Sequence, residues 1–302
     1  MKYVFVINPS AGNGSKNKEL EELLKRYDDK IDYIIHKTTK EKEATSFVSS
    51  YLKEHEEDTV IVACGGDGSI NEVVNGIHGY KQAILAIYPS GSGNDFIKYF
   101  GEKERFLDLD KLFSSKIKEI DCLVVNNRKE NKYCINVCHF GLDSYVAETA
   151  NEVKKKGGKN PYGKGVRKAL LFGRNNHISV KADNELLNPN GKMLLCTLAN
   201  GKYVGGKYQC APRSEIDDGL IEVGFVRPCS IITIAKLMSK YEKGEHIDNP
   251  KFAKILKYQK AKEVEIYSPK EFAISIDGEI IRNDYFKITI EEKAIRLLVP
   301  QE

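Results

Sequence analysis

TVIVACGGDGSINEVVN, residues 59–75, is the stretch whose reading decides the fold. Residues 59–64 are a short apolar run dense in β-branched side chains, long enough for one buried strand. Ile70, Val73, Val74 and Ile77 follow at helical spacing, with Ser69 placed to cap that helix. Between the two stand Gly65, Gly66, Asp67, Gly68 and Ser69. A strand, a glycine turn and a helix N-terminus make a phosphate cradle. Glycines let the backbone approach an anion, and unpaired N–H groups face it together with the positive end of the helix dipole. A carboxylate is a poor ligand for phosphate itself, so Asp67 points to a metal ion bridging the two. The alternative is a plain strand-to-helix turn whose glycines merely supply positive φ.

Sequence to either side predicts a parallel, doubly wound sheet. Residues 3–7 read as a first strand ending in NPSAGNG (8–14), before a helical pattern through Leu20, Leu23 and Leu24. Residues 31–36 read as a second strand, from which Thr38 and Thr39 lead into a charged helix over 40–55. Residues 84–88 read as a fourth strand running into PSGSGNDF (89–96). Strands alternating with helices place ligands outside the strands' carboxyl ends, where three glycine-bearing loops can converge. Neither GNG nor GSG continues to the third glycine of a dinucleotide fingerprint. The GK[ST] order of a P-loop and the protein-kinase motifs are missing as well.

From about residue 121 the pattern changes to short strands: 122–126, 132–137, 177–182, 192–198, 220–226, 261–267, 272–276, 285–290 and 294–299. Runs this short and regularly spaced predict a mainly antiparallel β-sandwich, interrupted by helices over 146–156 and 231–241. The expected organisation is an α/β nucleotide domain over 1–120, to which 291–302 can return, and a β-rich substrate domain over 121–290.

With 302 residues the chain is long enough for two domains, and 41% hydrophobic residues can fill their cores. A net charge of +4 is too mild to imply nucleic acid. Mean hydropathy is −0.42, no apolar run approaches a membrane span, and the N-terminus reads as a strand rather than a signal peptide. The expectation is a cytoplasmic protein that meets the inner membrane surface only peripherally. Seven scattered cysteines, most in apolar runs, fit buried reduced thiols. Cys134 and Cys138 lack a second ligand pair at zinc spacing and the histidines form no metal cluster, which argues against zinc chemistry.

GGDGS followed by NE, at residues 65–69 and 71–72, resembles the signature of the superfamily of diacylglycerol kinases, sphingosine kinases, NAD kinases and phosphofructokinases. Four further stretches resemble the bacterial diacylglycerol kinase-like lipid kinases: PSGSGNDF (89–96), NVCHFGLDSYVA (136–147), NGKYVGGKYQCAPRSEIDDGLIEV (200–223) and ISIDGE (274–279). The TGSTAY-like element expected of NAD kinases is absent, and phosphofructokinases lack the DDGL and DGE segments. Ser69 and Ser92 stand where that family more often has threonine, and Lys207 interrupts its triple glycine after Gly205 and Gly206.

The resemblance implies an ATP- and magnesium-dependent kinase that moves the γ-phosphate to a lipid hydroxyl, diacylglycerol foremost. It sets the nucleotide against Asn8, Gly65, Gly66, Asp67, Gly68, Ser69, Glu72, Ser92, Gly93 and Asn94, with Thr39 near the base or ribose. It makes Asp67 and Asp95 the carboxylates for magnesium, and Asp277 the general base with Glu279 beside it. It adds a second, structural magnesium on Asp218 and the carbonyls of Glu215 and Leu220, linked through Asp121. Spacing alone reads Asp277-Gly278 equally well as a hairpin and Asp218-Gly219 as a turn.

Lys154, Lys155, Lys156, Lys159, Lys164, Arg167, Lys168 and Arg174 stand with no acidic residue from 153 to 174, interleaved with Tyr162, Leu170, Leu171 and Phe172. Such a run lies on an anionic bilayer or is simply solvated. Two other functions remain open: a kinase of another hydroxylated lipid or a soluble acceptor such as NAD, and an ATP-binding regulator without turnover. Asp67, Asp95, Asp277 and Glu279 together argue against the regulator. A homodimer is left open.

Overall fold

The computed structural model describes residues 1–12, 14–156, 161–173 and 176–301. The chain divides into two compact units, Met1–Cys122 with Glu292–Glu302, and Leu123–Glu291.

The first unit opens with β1 (Lys2–Ile7), α1 (Ser15–Leu24), β2 (Asp32–Lys37), α2 (Glu43–Glu54), β3 (Thr59–Cys64), α3 (Asp67–Ile77) and β4 (Ala83–Tyr88). Two short helical turns, α4 (Leu109–Phe113) and the start of β5 (Lys116–Asn126) follow. The strands lie in the order β4-β3-β1-β2, all parallel, with Lys2 opposite both Asp32 and Thr59 and Cys64 opposite Tyr88. The last strand, Glu279–Val299, adds its far end to β4 in parallel, Arg296 opposite Ile84. Arg296 holds that return with two bonds to Asp58, at 2.8 and 3.1 Å. Every residue of β3 and β4 is buried, which is why both read as unbroken apolar runs. Ala44, Val48 and Leu52 form the buried stripe of α2, and Ile70, Val73, Val74 and Ile77 that of α3. Each fully buried aliphatic side chain contributes about 1.5–3 kcal/mol over an exposed one, so these stripes fix both helices to the sheet. From β1 the chain moves outward to β2, then returns past β1 to β3 and β4. The boundary between β1 and β3 is therefore the switch point, where the loops after both strands part around a crevice.

The second unit is antiparallel. It continues through β6 (Asn131–Cys134), β7 (Val137–Gly141), α5 (Leu142–Lys155), α6 (Pro161–Phe172) and, between later strands, α7 (Ile231–Tyr241). Its main sheet runs Leu256–Ala261, Ile221–Val226, Leu195–Ala199, β7, Glu263–Ile276 and then the first part of Glu279–Val299. Strand Glu263–Ile276 is shared between layers: Ile274–Ile276 pair with β7, whereas 264–267 pair with Ser179–Ala182. Between Tyr267 and Phe272 its register shifts, which bends the strand and closes the sandwich around Val125, Phe140, Val180, Phe225, Ile266 and Phe286.

Several elements differ from expectation for identifiable reasons. Ser69 does not cap α3; the helix begins at Asp67 with Gly66 at the cap position and no side-chain cap bond. The charged helix starts at Glu43, because Lys42 takes a left-handed φ of 64°. The strand expected over 132–137 breaks at residues 135–136, whose backbone makes other bonds described below. The strands expected at 261–267 and 272–276 are one bent strand, and those at 285–290 and 294–299 are one long one. Helix α6 falls in the stretch read only as a basic run; of that run, Lys159 and Arg174 lie outside the described residues.

Candidate functional site

At the carboxyl ends of β1, β3 and β4 the three glycine loops are bonded to one another. Asn8 donates its N–H to the Cys64 carbonyl at 3.0 Å, Gly65 to Tyr88 at 3.2 Å, and Gly91 to Gly65 at 2.9 Å. A Cβ on Gly91 would fall on the Cα of Gly66, so the third loop lies directly on the backbone entering α3. Asn8 also donates through Nδ2 to Ser69 Oγ at 3.2 Å, tying the first loop to the first turn of that helix. The opening amides of α3 have no partner within the helix and lie beside these glycines, which is the arrangement that binds phosphate.

Asp67 and Asp95 come together here. Asp67 Oδ1 accepts the Asp95 N–H at 2.7 Å, and a Cβ on Gly93 would meet Asp67 Oδ2 at 2.7 Å. Asp95 is buried and its carboxylate takes Lys98 Nζ at 2.5 Å. Asn94, also buried, donates to the Gly91 carbonyl at 2.8 Å, while its side-chain oxygen has no hydrogen-bond partner among the described residues. Ser92 is exposed at the tip of the same loop, and Gly68 lies in the first turn of α3.

Beside the cradle is a cleft of about 350 Å³ whose lining includes Asn8, Thr38, Thr39, Lys40, Ser69 and Glu72. Glu72 builds its wall: the two carboxylate oxygens accept the N–H groups of Lys42 at 2.9 Å and Ala44 at 3.1 Å, holding the start of α2. Glu43 organises the opposite rim. It accepts from the Thr39 hydroxyl at 2.7 Å, the Thr39 N–H at 2.8 Å and His36 Nε2 at 3.1 Å. The Thr39 hydroxyl and amide lower the Glu43 pKa to about 2. Thr39 itself thus serves the loop as well as the cleft.

In the second unit, Asp277 and Gly278 are the two-residue turn between the last two strands, with φ of 48° and 95°. That is the Asp-Gly hairpin expected from spacing. The Asp277 carboxylate turns inward and is buried. Oδ1 accepts the Val137 N–H at 2.9 Å and the Cys134 thiol at 3.0 Å, and Oδ2 accepts the Ile135 N–H at 3.1 Å. Burial pushes the Cys134 thiol well above its usual range, which keeps it a neutral donor. Residues 135–136 therefore leave the strand ladder: Ile135 serves Asp277, and the Asn136 carbonyl takes the N–H groups of Asn200 and Gly201 at 2.8 and 2.9 Å. Glu279 is exposed.

The remaining expected ligands are dispersed. Asp121, in the first unit, is fully buried and accepts the Lys293 N–H at 2.8 Å. Asp218, in the second unit, accepts the Leu220 N–H at 3.0 Å and Lys260 Nζ at 2.6 Å, and the same ammonium lies 3.6 Å from the buried Glu222. Asp218 raises the Lys260 pKa in return. Glu215 is exposed and Leu220 half-buried. Among the described residues no three His, Cys, Asp or Glu side chains form a metal-binding group, and no helix is long and apolar enough to cross a membrane.

Four residues at these places escaped sequence reading: Glu43, Lys98, Lys103 and Lys260. Lys98 carries a local signal, three residues after Asp95. Lys103, whose Nζ bonds the Gly91 carbonyl at 3.0 Å, belongs to no motif. Lys260 meets Asp218 and Glu222 only through strand pairing, being opposite Glu222 in the register.

Residues 2–125 match the family model of the diacylglycerol kinase catalytic domain, and residues 136–299 that of the YegS C-terminal NAD kinase beta sandwich-like domain. The chain is 27% identical over 280 residues to a diacylglycerol kinase of Bacillus subtilis (strain 168), covering 91% of this chain and 88% of that one. It is 26% identical over 277 residues to a diacylglycerol kinase of Staphylococcus aureus (strain MRSA252), covering 91% and 84%. A crystal structure of a diacylglycerol kinase from Bacillus anthracis str. Sterne superposes with a TM-score of 0.71 at 18% identity, covering 98% and 96% of the two chains, which speaks for the fold.

Proposed function

Because the chain belongs to the bacterial diacylglycerol kinase-like lipid kinase family, as an ATP-dependent kinase with an alcohol acceptor, we propose that it phosphorylates diacylglycerol. The hydroxyl oxygen of the lipid attacks the γ-phosphorus, the bond from that phosphorus to the β–γ bridging oxygen breaks, and ADP leaves with the electron pair. The hydroxyl proton passes to the Asp277 carboxylate. In this reading the three joined glycine loops and the opening amides of α3 hold the phosphates, and the cleft at Asn8, Thr39 and Glu72 takes the nucleoside. The bonds from Cys134, Ile135 and Val137 orient Asp277 and support its anionic form. Glu279, exposed beside it, is left to assist.

A magnesium ion suits Asp67 by its chemistry, a hard carboxylate in the first turn of α3 beside the joined loops, with Oδ1 on the Asp95 N–H and Oδ2 against Gly93. When bound, such an ion neutralises charge on the triphosphate. The Asp218 turn fits less well, because Lys260 already presents a cation to Asp218 and Glu222. No step is assigned to an ion there.

The acceptor stays in the bilayer, so the enzyme must reach a membrane surface. Lys156, Lys164, Arg167 and Lys168 are exposed on or beside α5 and α6, and Lys168 stands 4.0 Å from Glu152. Near an anionic surface each such cation contributes ~1 kcal/mol. This face is the proposed dock.

The observation that carries the reading is the bonding of three glycine loops around the N-terminus of α3, in a chain of this family. It is tested by offering γ-labelled ATP with diacylglycerol, a sphingoid base, or NAD. Label in chloroform-extractable phosphatidic acid supports the proposal. Label on NAD, or ATP bound without transfer to any acceptor, would replace it with one of the other two readings.

A further inference from the structure

Among the described residues one cation beside the cradle, Lys103, makes no direct ion pair, although the carboxylates of Glu104 and Asp67 lie within electrostatic reach. Lys103 opens the short helical turn Lys103–Phe106, is half-buried, and among the described residues makes one hydrogen bond, from Nζ to the Gly91 carbonyl at 3.0 Å. Lys98, by contrast, is paired with Asp95 at 2.5 Å. The partner of Lys103 matters chemically. A neutral carbonyl uses one of three N–H donors and fixes the direction of the ammonium, yet leaves its charge intact for something else. The carbonyl belongs to Gly91, the glycine that lies on Gly66 at the entrance to α3. Burial lowers the Lys103 pKa and the ammonium of Lys16 lowers it further, while the carboxylates of Glu104 and Asp67 raise it in part, so two ammonium groups share this spot. Like charges gathered beside a helix N-terminus favour a bound anion.

We propose that Lys103 is a phosphate-binding residue of this site, its ammonium held by Gly91 against the terminal phosphates of the nucleoside triphosphate. P-loop enzymes supply that charge from a lysine inside the glycine motif. The GK[ST] order is absent from this chain, and Lys103 supplies the charge from the segment that follows the PSGSGNDF loop. A lysine placed this way favours ATP over nucleosides and lowers the charge of the group in transfer.

The inference rests on the site binding ATP, so the test separates the two. Affinities for ATP and for adenosine are measured on the parent, Lys103→Met and Lys103→Arg, with melting curves for all three. The expected result is a parent that prefers ATP. Lys103→Met should lose roughly 10-fold or more in ATP affinity, the scale of a charge-assisted hydrogen bond, and keep its adenosine affinity and melting temperature. Lys103→Arg should stay within a few-fold of the parent. Unchanged ATP affinity in Lys103→Met overturns the assignment, as does an equal loss of adenosine and ATP, which would mark a structural role. A parent that binds adenosine as well as ATP removes the phosphate site itself, and the inference with it.

Discussion

Gly91 donates its backbone N–H to the carbonyl of Gly65 at 2.9 Å, joining the loop after β4 to the loop after β3. Each loop alone is a glycine turn of a common kind. Joined, they fix the path of the backbone into α3 and leave its amides facing one place.

Gly91→Ala should therefore disrupt the cradle from its centre, because the added Cβ meets backbone atoms of Gly66 that cannot rotate away. The expected cost is about 1–3 kcal/mol of stability together with most ATP affinity, read from melting curves and nucleotide titration. A variant that melts and binds ATP like the parent would show that the loops are not packed this way.

Lys260 gives a second expectation. With the Lys260 ammonium on Asp218 and near Glu222, Asp218→Asn should leave unchanged any difference in melting temperature between magnesium and chelator. Lys260→Met leaves both carboxylates without a cation and should lose about 1 kcal/mol, a few degrees in Tm, the pair being partly solvent-screened. Added magnesium should restore part of that loss. A parent that is itself stabilised by magnesium, with the effect removed by Asp218→Asn, would place an ion at the turn instead.

His246 should make the protein acid-sensitive. It is buried against Tyr241, and burial lowers its pKa to about 4. The unfolded chain, with the ordinary value of about 6.5, then binds the proton more readily than the folded one. Its stabilising contribution is complete above about pH 6.5 and is lost as pH falls toward 4, by about 3 kcal/mol in all. Melting temperature measured across that interval should fall steeply in the parent and less steeply in His246→Gln. Parallel curves would contradict the assignment.

Vesicle sedimentation tests the dock. Binding should require anionic lipid and weaken with salt, and Lys156→Gln, Lys164→Gln and Arg167→Gln together should abolish it while leaving activity toward detergent-dispersed lipid intact. Binding indifferent to salt and to these substitutions would make the face merely solvated.

What could be read beforehand divides along physical lines. The run 59–64 and the glycines after it were legible because a buried parallel strand and a helix start are local patterns. The break at residues 135–136 was not, since it is imposed by Asp277, which arrives from 142 residues away to take the Ile135 N–H. Lys260 and Lys103 were invisible for the same reason: one depends on strand register and the other on a carbonyl twelve residues earlier. Helix α6 was obscured by its own composition, PYGKGVRKALLF, where proline, two glycines and scattered cations weaken the helical signal. Glu72 was read as a nucleotide contact from its place after GGDGS, and its bonds to the start of α2 appear only with the two helices packed.

The central claim is transfer of the γ-phosphate to a lipid hydroxyl with Asp277 taking the proton. Its most direct test is the rate at which γ-labelled ATP delivers label to diacylglycerol in the parent and in Asp277→Asn, with ATP affinity measured alongside. The account predicts label in the chloroform phase for the parent, a fall of ~10²-fold or more in the variant, and ATP affinity retained. Near-parental transfer by Asp277→Asn would contradict it.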